Sequence, residues 1–307
     1  MYKLAKGFSI TPYRLSQLAS LNNKILADAY AHCLHIAQSH YENFPVASRF
    51  LNKNLRYPIS VVYAFARSAD DFADEGDLNT IERYELLDDY MHELETIEEN
   101  SLSNHSSNPI FIALADVIEQ FQIPIKLFKD LISAFKSDVH TTRYQNFDQV
   151  MAYCQKSANP VGRILLYLNN SASEENLNYS DAICSSLQLI NFYQDIAQDM
   201  DENDRLYLSL DELQKFSITI EDIKNKTNNT QTQSLMNFQI KRAQQLILSG
   251  KPLCHNLSGR FALEIRLIYT AGNIILKKLS LNTNNIYLRP RLNKIDKIKI
   301  LWHGLFF

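Results

Sequence analysis

The sequence predicts an all-α protein folded as one domain, and three observations carry that expectation. Glycine is scarce, with seven in 307 residues, whereas sandwiches, barrels and doubly wound sheets need many tight turns. Apolar residues recur at the helical period in one segment after another. The breaks between those segments are rich in Asn and Ser and read as surface loops, none has the make-up of a domain linker, and no fixed-period repeat is present.

Taken in order, "LNNKILADAYAHCLHIAQSH" places Ile25, Ala29, His32 and Ile36 along one helical stripe. "PISVVYAF" is a strongly apolar, buried-type segment. "ENSLSNHSSNP" reads as a loop. "IPIKLFKDLISAFKSDV" opens with Pro124 in the favoured first-turn position and aligns Leu127, Leu131 and Phe135. "NKTNNTQTQS" reads as a second loop. "GRFALEIRLIYTAGNIILKKL" is a long apolar helix ending in two lysines, which suit the negative helix terminus.

Composition narrows the function classes. A formal net charge of -3 argues against broad binding to nucleic acid, and none is expected as a partner. Cys33, Cys154, Cys184 and Cys254 are far apart with no CxxC pair, as expected of free thiols in a reducing compartment. The first twenty residues lack the apolar core of a signal peptide. No run approaches the ~20 apolar residues that span a bilayer. The expectation is a soluble, cytoplasmic protein. The segment "IDKIKILWHGLFF" mixes lysines with Ile298, Ile300, Leu301, Trp302, Leu305, Phe306 and Phe307. It suits peripheral contact with the inner face of a membrane and, equally, a last helix packed on the domain.

The chemistry lies in the acids. "ARSADDFADEGD" closes the apolar run that precedes it with one arginine and a cluster of carboxylates. Asp70 and Asp74 lie one helical turn apart on one face, and Asp71 and Glu75 form a second such pair. Downstream, "LQLINFYQDIAQDMDENDRLYL" repeats the device with Asp195 and Asp199, with Asn191 one turn earlier. A single pair at this spacing is ordinary on a solvated face. Two helices that each end a buried run this way suit Mg²⁺, which takes few protein oxygens and completes its shell with water and phosphate. A Ca²⁺ loop starting at Asp199 fails, because Asp204 stands where glycine is needed and Leu210 where a bidentate glutamate belongs.

Taken together, "YAFARSADDFADEGD" and "QLINFYQDIAQDMDENDRLYL" resemble the two aspartate-rich motifs of the squalene/phytoene synthase family. "HYENFPVAS", "DVHTTRYQNFDQVMAYCQKSANPVGRILL" and "LRPRL" follow in the family's order, so the resemblance spans roughly residues 28 to 300. It implies a class I isoprenoid synthase: a single-domain helical bundle around a central cavity. It also implies Mg²⁺ held by Asp70, Asp74, Asp195 and Asp199. His40, Tyr63, Arg67, Gln188, Asn191 and Arg205 match positions around the substrate diphosphate, and Tyr153 matches a catalytic tyrosine near the ionising centre.

"ENFPVAS", "SANPVGR" and Gln194, where most members carry arginine, resemble the hydroxysqualene synthase branch. That branch implies conversion of presqualene diphosphate to hydroxysqualene beside other enzymes of a squalene/hopanoid route. Three alternatives stand: a sister synthase acting on farnesyl or geranylgeranyl diphosphate, a non-catalytic helical assembly factor that keeps the fold, and a generic helical scaffold. Glu42 replaces a basic residue of several members, Gly272 falls where some place a tyrosine, and Ser209 replaces a proline.

Overall fold

The computed structural model describes residues 12–39, 55–99, 106–305 and 307. Its first half holds α1 (Pro12–Ser39), α2 (Arg56–Asp74), α3 (Thr80–Glu99), α4 (Pro109–Phe121) and α5 (Lys126–Asp138). A central pair follows, α6 (Phe147–Ser157) and α7 (Asn159–Leu168), and then α8 (Glu174–Gln194) and α9 (Ile196–Asn203). The rest comprises α10 (Leu210–Lys215), α11 (Ile220–Lys224), α12 (Thr230–Ser249), α13 (Leu253–Asn256), α14 (Gly259–Leu281) and α15 (Lys294–Leu305). No strand occurs among the described residues, where an isolated parallel bridge joins Arg143 to Leu206. The all-α expectation holds. No described helix is long and apolar enough to cross a membrane.

The helices begin where the sequence supplies caps. Asn108 accepts the amide of Ile110 and Pro109 occupies the first turn of α4. Asn79 accepts the amides of Ile81 and Glu82, while Glu82 returns a bond from the Asn79 amide. Asn229 and Thr232 form the same reciprocal box at the start of α12. That box corrects one expectation. The run 225–234 is a loop only to Asn229, because its second half is the polar first turn of α12.

Two further details differ from the expectation. In α1 the buried stripe is Ala29, Cys33 and Ala37, while Ile25 and His32 are exposed. The small residues let α1 pack closely on α2 and α4, which rotates the stripe away from its bulkier apolar neighbours. Pro124 precedes α5 rather than starting it, since the helix opens at Lys126 after Ile125. Leu127 and Leu131 are buried as expected, and Phe135 packs partly buried beside them.

The buried residues gather into two cores. One is built by α1 to α5 around Phe65, whose ring stacks on Tyr90 at 5.7 Å and meets Phe111 and Phe128 edge-on at 5.8 and 5.4 Å. The second is built by α6, α8 and the helices that follow, around Tyr193, Leu235 and Leu276. The helix α7 serves both: Ile164 and Leu168 belong to the first core and Leu166 to the second. Where α7 meets α8, a Cβ on Gly162 would lie 2.3 Å from Ser180 Oγ and 2.5 Å from Cys184 Sγ. Gly272 is likewise closed in, with Leu187 at 2.8 Å and Ile247 at 2.9 Å from its would-be Cβ, so a tyrosine there demands different packing.

Candidate active site

The two acidic motifs meet where the two halves of the fold adjoin. In α2 the apolar face Ile59, Val62, Phe65, Ala69 and Ala73 is buried. The adjoining face, with Tyr63, Ala66, Arg67 and Asp70, is half-buried. In α8 a similar stripe of Cys184, Leu187 and Gln188 is half-buried and ends at the exposed Asn191. Both stripes therefore run along their helices to the aspartates. The helix turns at Asp195, between α8 and α9, without losing alignment. The Asp195 amide bonds to the Asn191 carbonyl at 3.0 Å, and the Asp199 amide to the Asp195 carbonyl at 2.8 Å.

Three arginines hold the carboxylates. Arg67 pairs with Asp71 at 2.7 Å, reaches Asp70 at 3.7 Å and also meets Glu75. Arg289 grips Asp195 with two nitrogens, at 2.5 and 2.9 Å, and donates to Gln198 at 2.9 Å. Gln194 steadies that arm by donating to the Pro290 carbonyl at 2.5 Å. Arg205 joins the motifs: it pairs with Asp74 at 3.4 Å, donates to the Asp138 carbonyl at 2.7 Å and lowers the proton affinity of Asp199.

Local backbone aims Arg205. Asp204 ends α9 in the left-handed region at φ 47°. That conformation costs a non-glycine residue energy. Asp204 is fixed by Arg143 at 2.8 Å and Lys224 at 3.3 Å. The Leu206 amide then bonds to the Thr142 carbonyl at 3.0 Å, so the chain after α9 is pinned to the chain before α6.

Behind Arg205 lies a buried acid that sequence reading passed over. Asp138 accepts a 2.8 Å hydrogen bond from the Tyr153 hydroxyl, while its Oδ1 is buried with no hydrogen-bond partner among the described residues. Burial pushes the Asp138 carboxyl up to about 7, against the opposing pull of Tyr153 and Arg205. Tyr153 is raised well above the usual phenol range, first by burial, so its hydroxyl stays a donor. Tyr153, Tyr144, Tyr207 and Phe192 form an aromatic cluster, with Phe192 and Tyr207 stacked at 3.6 Å between ring centres.

Of the expected site residues, the structure brings together Arg67, Asp70, Asp74, Asp195, Asp199 and Arg205. Tyr63 lies one turn before Arg67 on α2, and burial raises its hydroxyl. Asn191 lies one turn before Asp195, with Gln188 one turn earlier. Tyr153 sits one layer below, linked through Asp138. His40 and Glu42 lie outside the described residues. Asp138, Tyr207 and Arg289 complete the site without having been singled out. Asp138 lacks an acidic partner at helical spacing, and Arg289 stands 94 residues from the carboxylate it binds.

The donor set fits a hard dication. Burial and then the neighbouring Asp74 push Asp70 up to about 6. Burial and then Asp195 do the same to Asp199, also to about 6. Such mutual repulsion is relieved by a cation. Among the described residues no three His, Cys, Asp or Glu side chains enclose an ion by themselves. The acids are therefore suited to share ions with water and substrate oxygens, as Mg²⁺ prefers.

The profile described as squalene/phytoene synthase matches residues 37–299. The hydroxysqualene synthase of Rhodopseudomonas palustris is 30% identical over 81% of this chain and 84% of its own length. The phytoene synthase of Mycobacterium tuberculosis is 30% identical over 64% of this chain and 62% of its own. Among solved structures, squalene synthase HpnC from Alicyclobacillus acidocaldarius superposes with a TM-score of 0.78 at 31% identity, covering 85% of this chain and 96% of that one. The chain belongs to the squalene/phytoene synthase family, isoprenoid synthases that act on prenyl diphosphates.

Proposed function

We propose that the protein ionises presqualene diphosphate and lets water capture the rearranged cation, giving hydroxysqualene and diphosphate. The observation that carries this is the meeting of both aspartate pairs with Arg67, Arg205 and Arg289 at the end of two half-buried helical stripes. Asp70, Asp74, Asp195 and Asp199 would hold Mg²⁺, in keeping with the divalent metal that family members typically use. When bound, the metal supplies positive charge for the leaving diphosphate.

The chain's own groups do the rest. Arg205 and Arg289 would turn their planar forks from carboxylate to phosphate oxygens, which a guanidinium can grip with two nitrogens. The carbon–oxygen bond breaks and diphosphate leaves with the electron pair. Half-buried apolar positions along α2, α7 and α8, including Leu165 and Leu187, would face the C30 chain and keep water from the cation until it has rearranged. Tyr153, held by Asp138, keeps its phenol neutral beside the aromatic cluster. One water then forms the new carbon–oxygen bond and gives its proton to diphosphate.

Gln194 and Glu42, each in place of a basic residue, favour a substrate with one diphosphate over the joining of two. The resemblance to a phytoene synthase and to a solved squalene synthase keeps the joining reaction as the second reading. The four intact aspartates weigh against a silent assembly factor. The test is incubation with Mg²⁺ and either presqualene diphosphate or farnesyl diphosphate, without NADPH, followed by mass-spectrometric identification of the lipid. Hydroxysqualene from the former and little product from the latter is expected. Efficient conversion of farnesyl diphosphate would replace this reading with the second.

A further inference from the structure

Helix α15 packs on α14 and leaves its apolar side exposed. Its inner face holds Asp296, Ile300 and Gly304. Asp296 pairs with Lys278 at 2.5 Å and is capped reciprocally by Asn293. Gly304 lies against Leu267 and Leu263 of α14. Beyond the helix, Phe307 packs edge-on against Tyr269 at 5.5 Å and tilts on His255 at 5.2 Å. The helix is thus fixed along its length by a small and partly polar face.

The opposite face carries Ile295, Ile298, Leu301, Trp302 and Leu305, each between 47% and 67% exposed. At 3.6 residues per turn these five form one stripe about 120° wide with Lys294 inside it at the helix start, and Lys297 and Lys299 flank its centre by about 100° on either side. The exposed surface of α15 carries no acid, because its one carboxylate, Asp296, is turned inward. An apolar stripe bordered by lysines is the pattern of a helix lying in the plane of a membrane interface. There the lysine stems run along the apolar surface and their ammonium groups reach lipid phosphates.

We propose that α15 docks the protein on an anionic phospholipid surface. The positive border and the absence of exposed acid select an anionic bilayer over a second copy of this helix, whose lysines would face their own kind.

The chain contains a single tryptophan, Trp302, so its emission reports on this stripe directly. The probes are vesicles of phosphatidylcholine alone and of phosphatidylcholine mixed with phosphatidylglycerol, added to the full chain without substrate. The mixed vesicles are expected to move the emission to shorter wavelength and to carry the protein down on sedimentation. Ile298→Ser combined with Leu305→Ser should abolish both effects. Lys297→Glu combined with Lys299→Glu should weaken binding roughly tenfold or more. These side chains are exposed, and an unchanged circular dichroism spectrum verifies the fold. Three results would overturn the proposal: no response to either vesicle, equal binding to both vesicles unaffected by the lysine changes, or a vesicle-independent shift that tracks dimer formation. Because no substrate is used, the outcome is independent of which reaction the site performs.

Discussion

The two acidic motifs look alike in sequence but are neutralised in different ways. The first closes one straight helix, and its main counter-ion, Arg67, sits on that same helix at i, i+4 from Asp71. The second sits at a bend between α8 and α9, and its counter-ion, Arg289, arrives from the distant segment before α15. Arg205, from the end of the second motif, contacts the first. Asp70 and Asp71 are therefore charge-balanced by local sequence, and Asp74 and Asp195 by tertiary structure. A carboxylate of the second kind depends on every segment that carries its cation.

The largest expected effect tests whether the motifs are equal partners. Asp70→Asn and Asp195→Asn should each reduce Mg²⁺-dependent turnover about a hundredfold or more while leaving the helical spectrum unchanged. Near-normal turnover in either variant would break the symmetry and make that motif a solvated helix end. Next, Arg289→Ala should reduce turnover more than Arg67→Ala, because Asp195 then loses two close contacts at 2.5 and 2.9 Å whereas Asp70 loses a single one at 3.7 Å. Equal losses would dissolve the contrast between local and remote neutralisation. Arg289→Lys should recover only part of the loss, since one ammonium cannot reproduce the two-nitrogen contact of the guanidinium.

A third test concerns pH. Asp70 and Asp199 titrate near 6 and Asp138 near 7 in the folded chain, against about 4 for an unfolded carboxyl. The folded state thus binds these protons more tightly. Their stabilising contribution is complete below pH about 4 and is lost as pH rises through 6 to 7. Thermal melts in EDTA should show these groups lowering Tm between about pH 4 and 7, and Mg²⁺ should return part of the loss at the upper end. A wild-type decline that persists unchanged in Asp138→Asn would remove Asp138 from the account. The smallest effect is expected from Gln194→Ala. Losing its bond to the Pro290 carbonyl should cost about 1 kcal/mol and reduce turnover a few-fold by loosening Arg289.

Much of this is legible in the sequence. Helical period and scarce glycine pointed to an all-α fold, and the spacing of Asp70 with Asp74 and of Asp195 with Asp199 marked both arms of the site. Charge partners three or four residues apart, such as Arg67 and Asp71, can be read directly. Asp138 could not be read, because a lone acid at the end of α5 gains meaning only from the Tyr153 hydroxyl and the Arg205 fork placed on it by folding. Arg289 has the same difficulty at greater range. The stripe in α1 was misplaced for a related reason: close packing selected Ala29, Cys33 and Ala37 over larger apolar side chains, and periodicity alone does not show which face a neighbour will cover.

The shared helix α7 has a consequence for cooperativity. Its alternate apolar residues enter different cores, Ile164 and Leu168 one and Leu166 the other, with Leu165 touching both. Neither core can then lose its order without stripping a wall from its neighbour. We propose on this basis that the chain behaves as a single domain and gives one endotherm on heating. Leu165→Ala weakens the shared wall, and it should broaden that endotherm or divide it in two, whereas Phe65→Ala, confined to one core, should lower it by the stability lost there. A ten-residue helix would in that way decide whether the molecule melts in one step or two.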